Sequence, residues 1–153
     1  MSFESFEDII EYSITKEKEA VAFYEEVAQI APSAREKEIL EGFAREEKKH
    51  QAMFENFGKN KEEIQGYKFT WIPDIKRSNY IVEMEYKKGM DYVDLLRLAM
   101  KREEKALQLY NELLEKTDKE ELKKLFKMLC QEEAGHKLKL ETIYDDYMAA
   151  QGD

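Results

Sequence analysis

Residues 43–55 read FAREEKKHQAMFE, and residues 129–141 read LCQEEAGHKLKLE. Each stretch sets a glutamate three residues before a histidine, Glu47 before His50 and Glu133 before His136. The chain has two histidines, so both stand in this setting. Three residues is close to one helical turn, which puts each Glu and its His on one helix face. In the first stretch and its flanks that face also carries Leu40, Phe43, Phe54 and Phe57; in the second, Phe126, Leu129, Leu140, Ile143 and Tyr147. Steps of three and four between apolar residues mark a buried seam of packed helices. A carboxylate and an imidazole therefore sit at mid-seam, where hydrocarbon is expected.

Two further seams have the same character. One reads Ile10, Ile14, Glu17, Val21, Tyr24, Ala28; the other reads Leu96, Met100, Glu103, Leu107, Tyr110, Leu114. All four belong to one duplicated pattern, since the chain matches itself without gaps at an offset of 86 residues, Glu17 falling on Glu103. Asp8 then falls on Asp94, Ala20 on Ala106, Tyr24 on Tyr110, Glu46 and Glu47 on Glu132 and Glu133, His50 on His136, and Glu55 on Glu141. Two copies are too few for a solenoid and suit two helical hairpins.

Local signals bound four helices. The first is expected over Phe6–Ile30, with Ser5 as cap and Asp8 three residues on. Ala31-Pro32-Ser33 breaks the chain, and Ser33 with Glu36 opens the second helix. The third is expected over Tyr92–Lys116 behind Asp91, and Thr117 with Glu120 opens a fourth that runs to about Met148. Between the halves, Gly58 to Met90 reads as a long crossover along the bundle. Trp71 of the run Tyr67, Phe69, Trp71 is expected to pack on it, and Asn79–Lys88 to form a short extra helix. One long crossover distinguishes the ferritin-like bundle from simple up-down bundles. The expected fold class is all-α: a ferritin-like four-helix bundle of two hairpins, residues 1–153 forming one domain.

Composition supports this reading. Only 6 Gly and 2 Pro interrupt 153 residues, and 39% of the chain is charged, rich in the helix formers Glu and Lys. Abundant Glu and Lys with few Asn and Gln lean toward a heat-adapted source. A net charge of −9 argues against nucleic acid or an anionic membrane surface as partner. No apolar run reaches membrane-span length, and the start Met1-Ser2-Phe3-Glu4 lacks a basic leader, so a cytoplasmic location is expected. The single cysteine, Cys130, excludes an intrachain disulfide and a four-cysteine metal site; inside a helical pattern it reads as a small buried hydrophobe.

Charge decides what the seams hold. Four carboxylates in hydrocarbon are costly and repel one another, and no lysine or arginine occupies the four seams. Two divalent cations balance them, with both histidines neutral and free to coordinate. A Glu from each of two helices plus a Glu-x-x-His from each of the other two is the ligand set of di-iron and di-manganese carboxylate bundles. Nitrogen and oxygen donors without thiolate favour iron or manganese over calcium, magnesium or structural zinc. The expected metal ligands are Glu17, Glu47, His50, Glu103, Glu133 and His136. Glu46 and Glu132 lie about 100° round the helix from the ligands, in a solvated or supporting position. Tyr24 and Tyr110, two turns beyond Glu17 and Glu103, either pack in the core or hydrogen-bond a ligating carboxylate.

With Glu17 and Tyr24, Glu47-Lys48-Lys49-His50, Glu103 and Tyr110, and Glu133-Ala134-Gly135-His136 in place, the chain resembles the rubrerythrin branch of the ferritin-like superfamily. The resemblance implies two bound irons (manganese being the alternative at one or both positions) and a reaction with hydrogen peroxide or dioxygen. It also implies a homodimer and electrons from a separate rubredoxin-like donor, because one cysteine cannot build the four-cysteine iron domain of rubrerythrins proper. Glu17 and Glu103 would be terminal ligands, Glu47 and Glu133 bridging ligands, and each histidine would bind one iron. The extra third-helix glutamate that rubrerythrins use in peroxide chemistry is replaced by Ala106, mirroring Ala20. That symmetry keeps ferroxidase, iron storage or iron buffering as the second reading. Oxygenation of an organic substrate is disfavoured by Phe43, Phe54, Leu107 and Met100 filling the seam.

Overall fold

A computed structural model describes residues 5–57, 87 and 89–151. Among them are four helices: α1 (Phe6–Ile30), α2 (Ala34–Glu55), α3 (Tyr92–Lys116) and α4 (Glu120–Gln151). The described residues contain no strand.

The helix starts explain themselves chemically. Ser5 and Ser33 sit in extended backbone and accept the amide N–H of Asp8 and Glu36 through their hydroxyls, at 3.3 and 3.1 Å. Each bond satisfies one of the donors a first turn leaves unpaired. Asp91 does the same for α3, its carboxylate accepting the amide of Asp94 at 3.0 Å. Ser5 with Asp8 and Asp91 with Asp94 are one offset apart, so the duplication extends to the caps. Ahead of Asp91 the chain turns at Gly89, whose φ of 87° lies where side chains with a Cβ are strained. The end of α1 is set by Pro32, which forces Ala31 out of helical geometry to φ −59°, ψ 138°.

The start of α4 differs from expectation. Thr117 is buried, and its hydroxyl accepts the amide of Lys119, two residues on, at 3.3 Å. It thus shapes the turn before the helix rather than capping it. The first α4 backbone bond runs from the Lys123 amide to the Lys119 carbonyl. At its other end α4 continues three residues beyond Met148, to Gln151. The expectations for the 58–90 crossover, including Trp71 and the helix at Asn79–Lys88, fall almost wholly outside the described residues.

The chain divides into two compact units. One holds α1, α2 and Lys116–Leu125; the other holds α3 as far as Glu115 and α4 from Phe126. In the first, α1 packs on α2, and Tyr24 meets Phe43 edge to face at 5.4 Å. Val21, Val27, Ala28, Leu40, Ala44, Met53 and Phe54 are buried here. In the second, contacts between α3 and α4 run in antiparallel order. Tyr92 lies against Tyr147 at 5.4 Å, Arg97 Nε donates to the Tyr144 hydroxyl at 3.2 Å, and Tyr110 stacks on Phe126 at 5.7 Å.

Most of the expected seam is buried. On α1 the upstream end is rotated, with Ile9 and Ser13 buried while Ile10 and Ile14 are half-buried. Ser13 hides its hydroxyl by donating to the Ile9 carbonyl at 2.8 Å, so a polar residue occupies the core without an unmet donor. Phe57, Leu107, Leu114 and Tyr147 are half-buried, and Leu113 is buried where Leu114 was expected. Cys130 is half-buried too, and burial pushes its thiol up to about 11, leaving it a poor nucleophile.

The cap at Asp91 gives a measurable expectation. Asp91→Ala should cost about 1 kcal/mol and lower the melting temperature by a few degrees, as helix caps do. A melting curve unchanged within error would show that the cap is not needed for α3.

Candidate metal centre

In the first unit, one turn of α1 and two of α2 bring together Glu17, Glu47 and His50, all nearly inaccessible to solvent. His50 Nδ1 stands 3.7 Å from Glu17 Oε2 and 3.8 Å from Glu47 Oε1. In the second unit α3 and α4 repeat the arrangement. His136 Nδ1 lies 3.7 Å from Glu103 Oε1 and 3.7 Å from Glu133 Oε1, again with all three residues buried. Within each trio, one donor atom from every residue lies within 4.8 Å of the others.

These spacings are compatible with a ligand cage. Direct N–H···O bonds centre near 2.9 Å, and none of the four His–Glu separations is that short. Oxygen and nitrogen ligands about 2.1 Å from a shared ion lie roughly 3 to 4 Å from one another. Both trios have that separation. In both, moreover, the same ring nitrogen, Nδ1, faces the two carboxylates. The residues fit a metal ion in each half: hard carboxylate oxygens with one imidazole nitrogen, held on rigid helices and shielded from water.

Electrostatics shows what the arrangement costs without an ion. Burial, reinforced by the neighbouring Glu47 carboxylate and opposed by His50, raises the Glu17 carboxyl to about 8. At neutral pH Glu17 then keeps a proton that a metal ion must displace.

The tyrosines are placed as the spacing implied. Tyr24 is buried between Phe23 and Phe43, each at 5.4 Å, and Tyr110 is buried on Phe126. Glu46 is exposed and Glu132 half-buried, away from the ligand face. One pair was not legible in the seams: Lys137 and Glu141 are both buried, with Nζ 3.2 Å from Oε1. Lys137 is the one buried lysine among the described residues. The seam charge count still closes, because Glu141 neutralises it.

The family model described as Rubrerythrin matches residues 8–144. This chain belongs to the rubrerythrin family. It is therefore a member of the ferritin-like di-iron superfamily, with the all-α four-helix fold of that class. A solved structure of a hypothetical protein from Pyrococcus furiosus is similar at 31% identity, over 93% of this chain and 89% of that one, with a TM-score of 0.67. No curated protein matches the chain. Among the described residues, no helix of this rubrerythrin-family protein is long and apolar enough to cross a membrane.

The raised Glu17 carboxyl predicts a pH dependence with a definite sign. Between about 4.5, its ordinary value, and about 8, the folded state holds a proton that the unfolded chain has released. Stability of the metal-free protein should therefore fall as pH rises through that interval. Thermal melts from pH 5 to 8 should show this decline, and Glu17→Gln should flatten it. A wild-type curve that is level or rises over that range would contradict the protonated state.

Proposed function

We propose that this protein is a di-iron carboxylate redox protein, reducing hydrogen peroxide or dioxygen with electrons from a separate donor. The supporting observation is the duplicated trio: two buried Glu/Glu/His sets with matching Nδ1–carboxylate spacings. Glu17, Glu47 and His50 of one set, and Glu103, Glu133 and His136 of the other, would hold the ions, the carboxylates through oxygen and each histidine through Nδ1. Iron, bound there, would supply the electrons that reduce the oxidant; manganese is the alternative ion at one or both positions.

The chain's own contribution is containment and proton handling. Burial excludes bulk water from the carboxylates and makes each charge felt more strongly than in solvent. Glu17, whose carboxyl burial raises to about 8, would give up its proton in order to hold an ion. The Tyr24 and Tyr110 hydroxyls, two turns from Glu17 and Glu103, serve to orient carboxylates by hydrogen bonding. Their rings are held by Phe43 and Phe126 on the helices that carry the Glu-x-x-His pairs. The electrons would come from a separate rubredoxin-like donor, and we take the working form to be a cytoplasmic homodimer.

A ferroxidase or iron-buffering role is the second reading, and one observation favours it. Ala106 and Ala20 stand at corresponding places, both half-buried, so neither half carries an added carboxylate at that position. Turnover separates the readings. Iron-loaded protein supplied with reductant should remove peroxide at least tenfold faster than the same iron free in solution. Peroxide removal no faster than free iron, with rapid Fe(II) oxidation by dioxygen and a many-subunit particle by light scattering, would replace the first reading with storage.

A further inference from the structure

The residues between the two ligands of α2 belong to a different surface from the ligands. Lys48 and Lys49 separate Glu47 from His50, and Arg45 lies just upstream. These three cations fall about 100–200° round the helix from Glu47, on the outer face of α2. All three are exposed, as is Ala52 a turn further on. Arg45 forms no ion pair among the described residues. Its guanidinium lies beside Gly42, with Nη2 3.5 Å from where a Cβ would stand. Lys48 approaches Glu25 of α1 at 3.7 Å, but both side chains are more than half exposed, so water screens the pair. Carboxylates flank this patch without dividing it. Glu46 stands to one side, and Glu41, a turn before Arg45, lies 3.9 Å from Lys37.

The neighbouring surface has the opposite sign. On α1 the exposed charged residues are Glu7, Asp8, Glu11, Glu19, Glu25 and Glu26 against Lys18, and the whole chain carries −9. The repeat supplies a comparison. Where Arg45, Lys48 and Lys49 stand in the first half, the second has Gln131, Ala134 and Gly135, uncharged and half-buried. The turn that carries the ligands is thus backed by an open basic face in one half and a neutral face in the other. Holding metal asks for neither. Solubility does not explain the cations, since they bring a chain of −9 nearer to neutrality.

We propose that Arg45, Lys48 and Lys49 form the docking surface for the separate electron donor, and that this donor is an acidic protein. The inference rests on the redox reading above, and adds where the donor lands and which charge recognises it. An acidic carrier is repelled by the negative surface of α1 and drawn to this face, which orients it as it arrives. There it is separated from Glu47 and His50 by roughly the 10–12 Å diameter of one helix, and need not enter the core.

Carbodiimide coupling joins a lysine to a carboxylate in contact with it, and an acidic rubredoxin serves as the probe. In low salt the full-length protein should couple to it through Lys48 or Lys49, as mapped by mass spectrometry. Arg45→Glu/Lys48→Glu/Lys49→Glu should weaken rubredoxin binding at least about tenfold, and added salt should weaken wild-type binding likewise. Lys124→Glu/Lys127→Glu/Lys139→Glu makes the same change in net charge at exposed positions of α4, and should lose less than about threefold. If the first variant does not fold by circular dichroism, Arg45→Gln/Lys48→Gln/Lys49→Gln gives the same reading. Equal losses in the two charge reversals would overturn the proposal, as would coupling confined to other lysines, or no binding at all. Coupling of Lys48 or Lys49 to a second copy of this chain in place of rubredoxin would also overturn it, and make the face an interface between copies. Docking as expected, with rubredoxin unable to reduce the iron-loaded protein, would uphold the surface and remove the redox reading.

Discussion

Everything in this protein turns on the cost of placing carboxylates where helices meet. Glu17, Glu47, Glu103 and Glu133 are each about as buried as the leucines around them, and each has an imidazole nearby at 3.7 to 3.8 Å. No gain from packing explains such residues, since an apolar side chain would fill the same space without the desolvation cost. The raised carboxyl of Glu17 is that cost made visible. The helices are consistent with bearing it: long, capped by Ser5, Ser33 and Asp91, and flanked by buried Leu, Phe and Met above and below each trio. Stability gained along the rest of the seam lets the middle be costly.

The fold was legible because its rules are local and repeated. Pro32 after Ala31 had to end a helix, and Ser5, Ser33 and Asp91 stood where a first turn needs an acceptor. The two Glu-x-x-His pairs, each with its partner Glu on the preceding helix, located both trios. The duplication made each half a check on the other. Family membership over residues 8–144 agrees with that reading.

What escaped the sequence did so for physical reasons. Thr117 looks like a cap, but its hydroxyl accepts the Lys119 amide before the helix begins, a choice between two local bonds that composition does not decide. Ile10 and Ile14 outrank Ser13 on hydropathy. Yet Ser13 is the more buried because its hydroxyl is satisfied within its own turn, and it lies about 40° from Glu17 against about 60° for Ile14. Lys137 and Glu141 read as solvated charges until their mutual contact and burial are seen. The reaction is the least legible element. Peroxide reduction and iron oxidation ask for the same ligands, and differ in what reaches the site and who supplies electrons.

The central claim is that the buried carboxylates exist to hold metal, and metal content tests it most directly. Protein isolated from its own host should carry about two iron or manganese ions per chain, and Glu47→Ala/Glu133→Ala should carry none. Removing the ions from the native protein with a chelator should lower its melting temperature, since an ion bound to the folded state alone stabilises it by mass action. Near-zero metal in the native protein, with a melting temperature indifferent to chelator, would mean that protons and hydrogen bonds satisfy the seam, and would contradict the account.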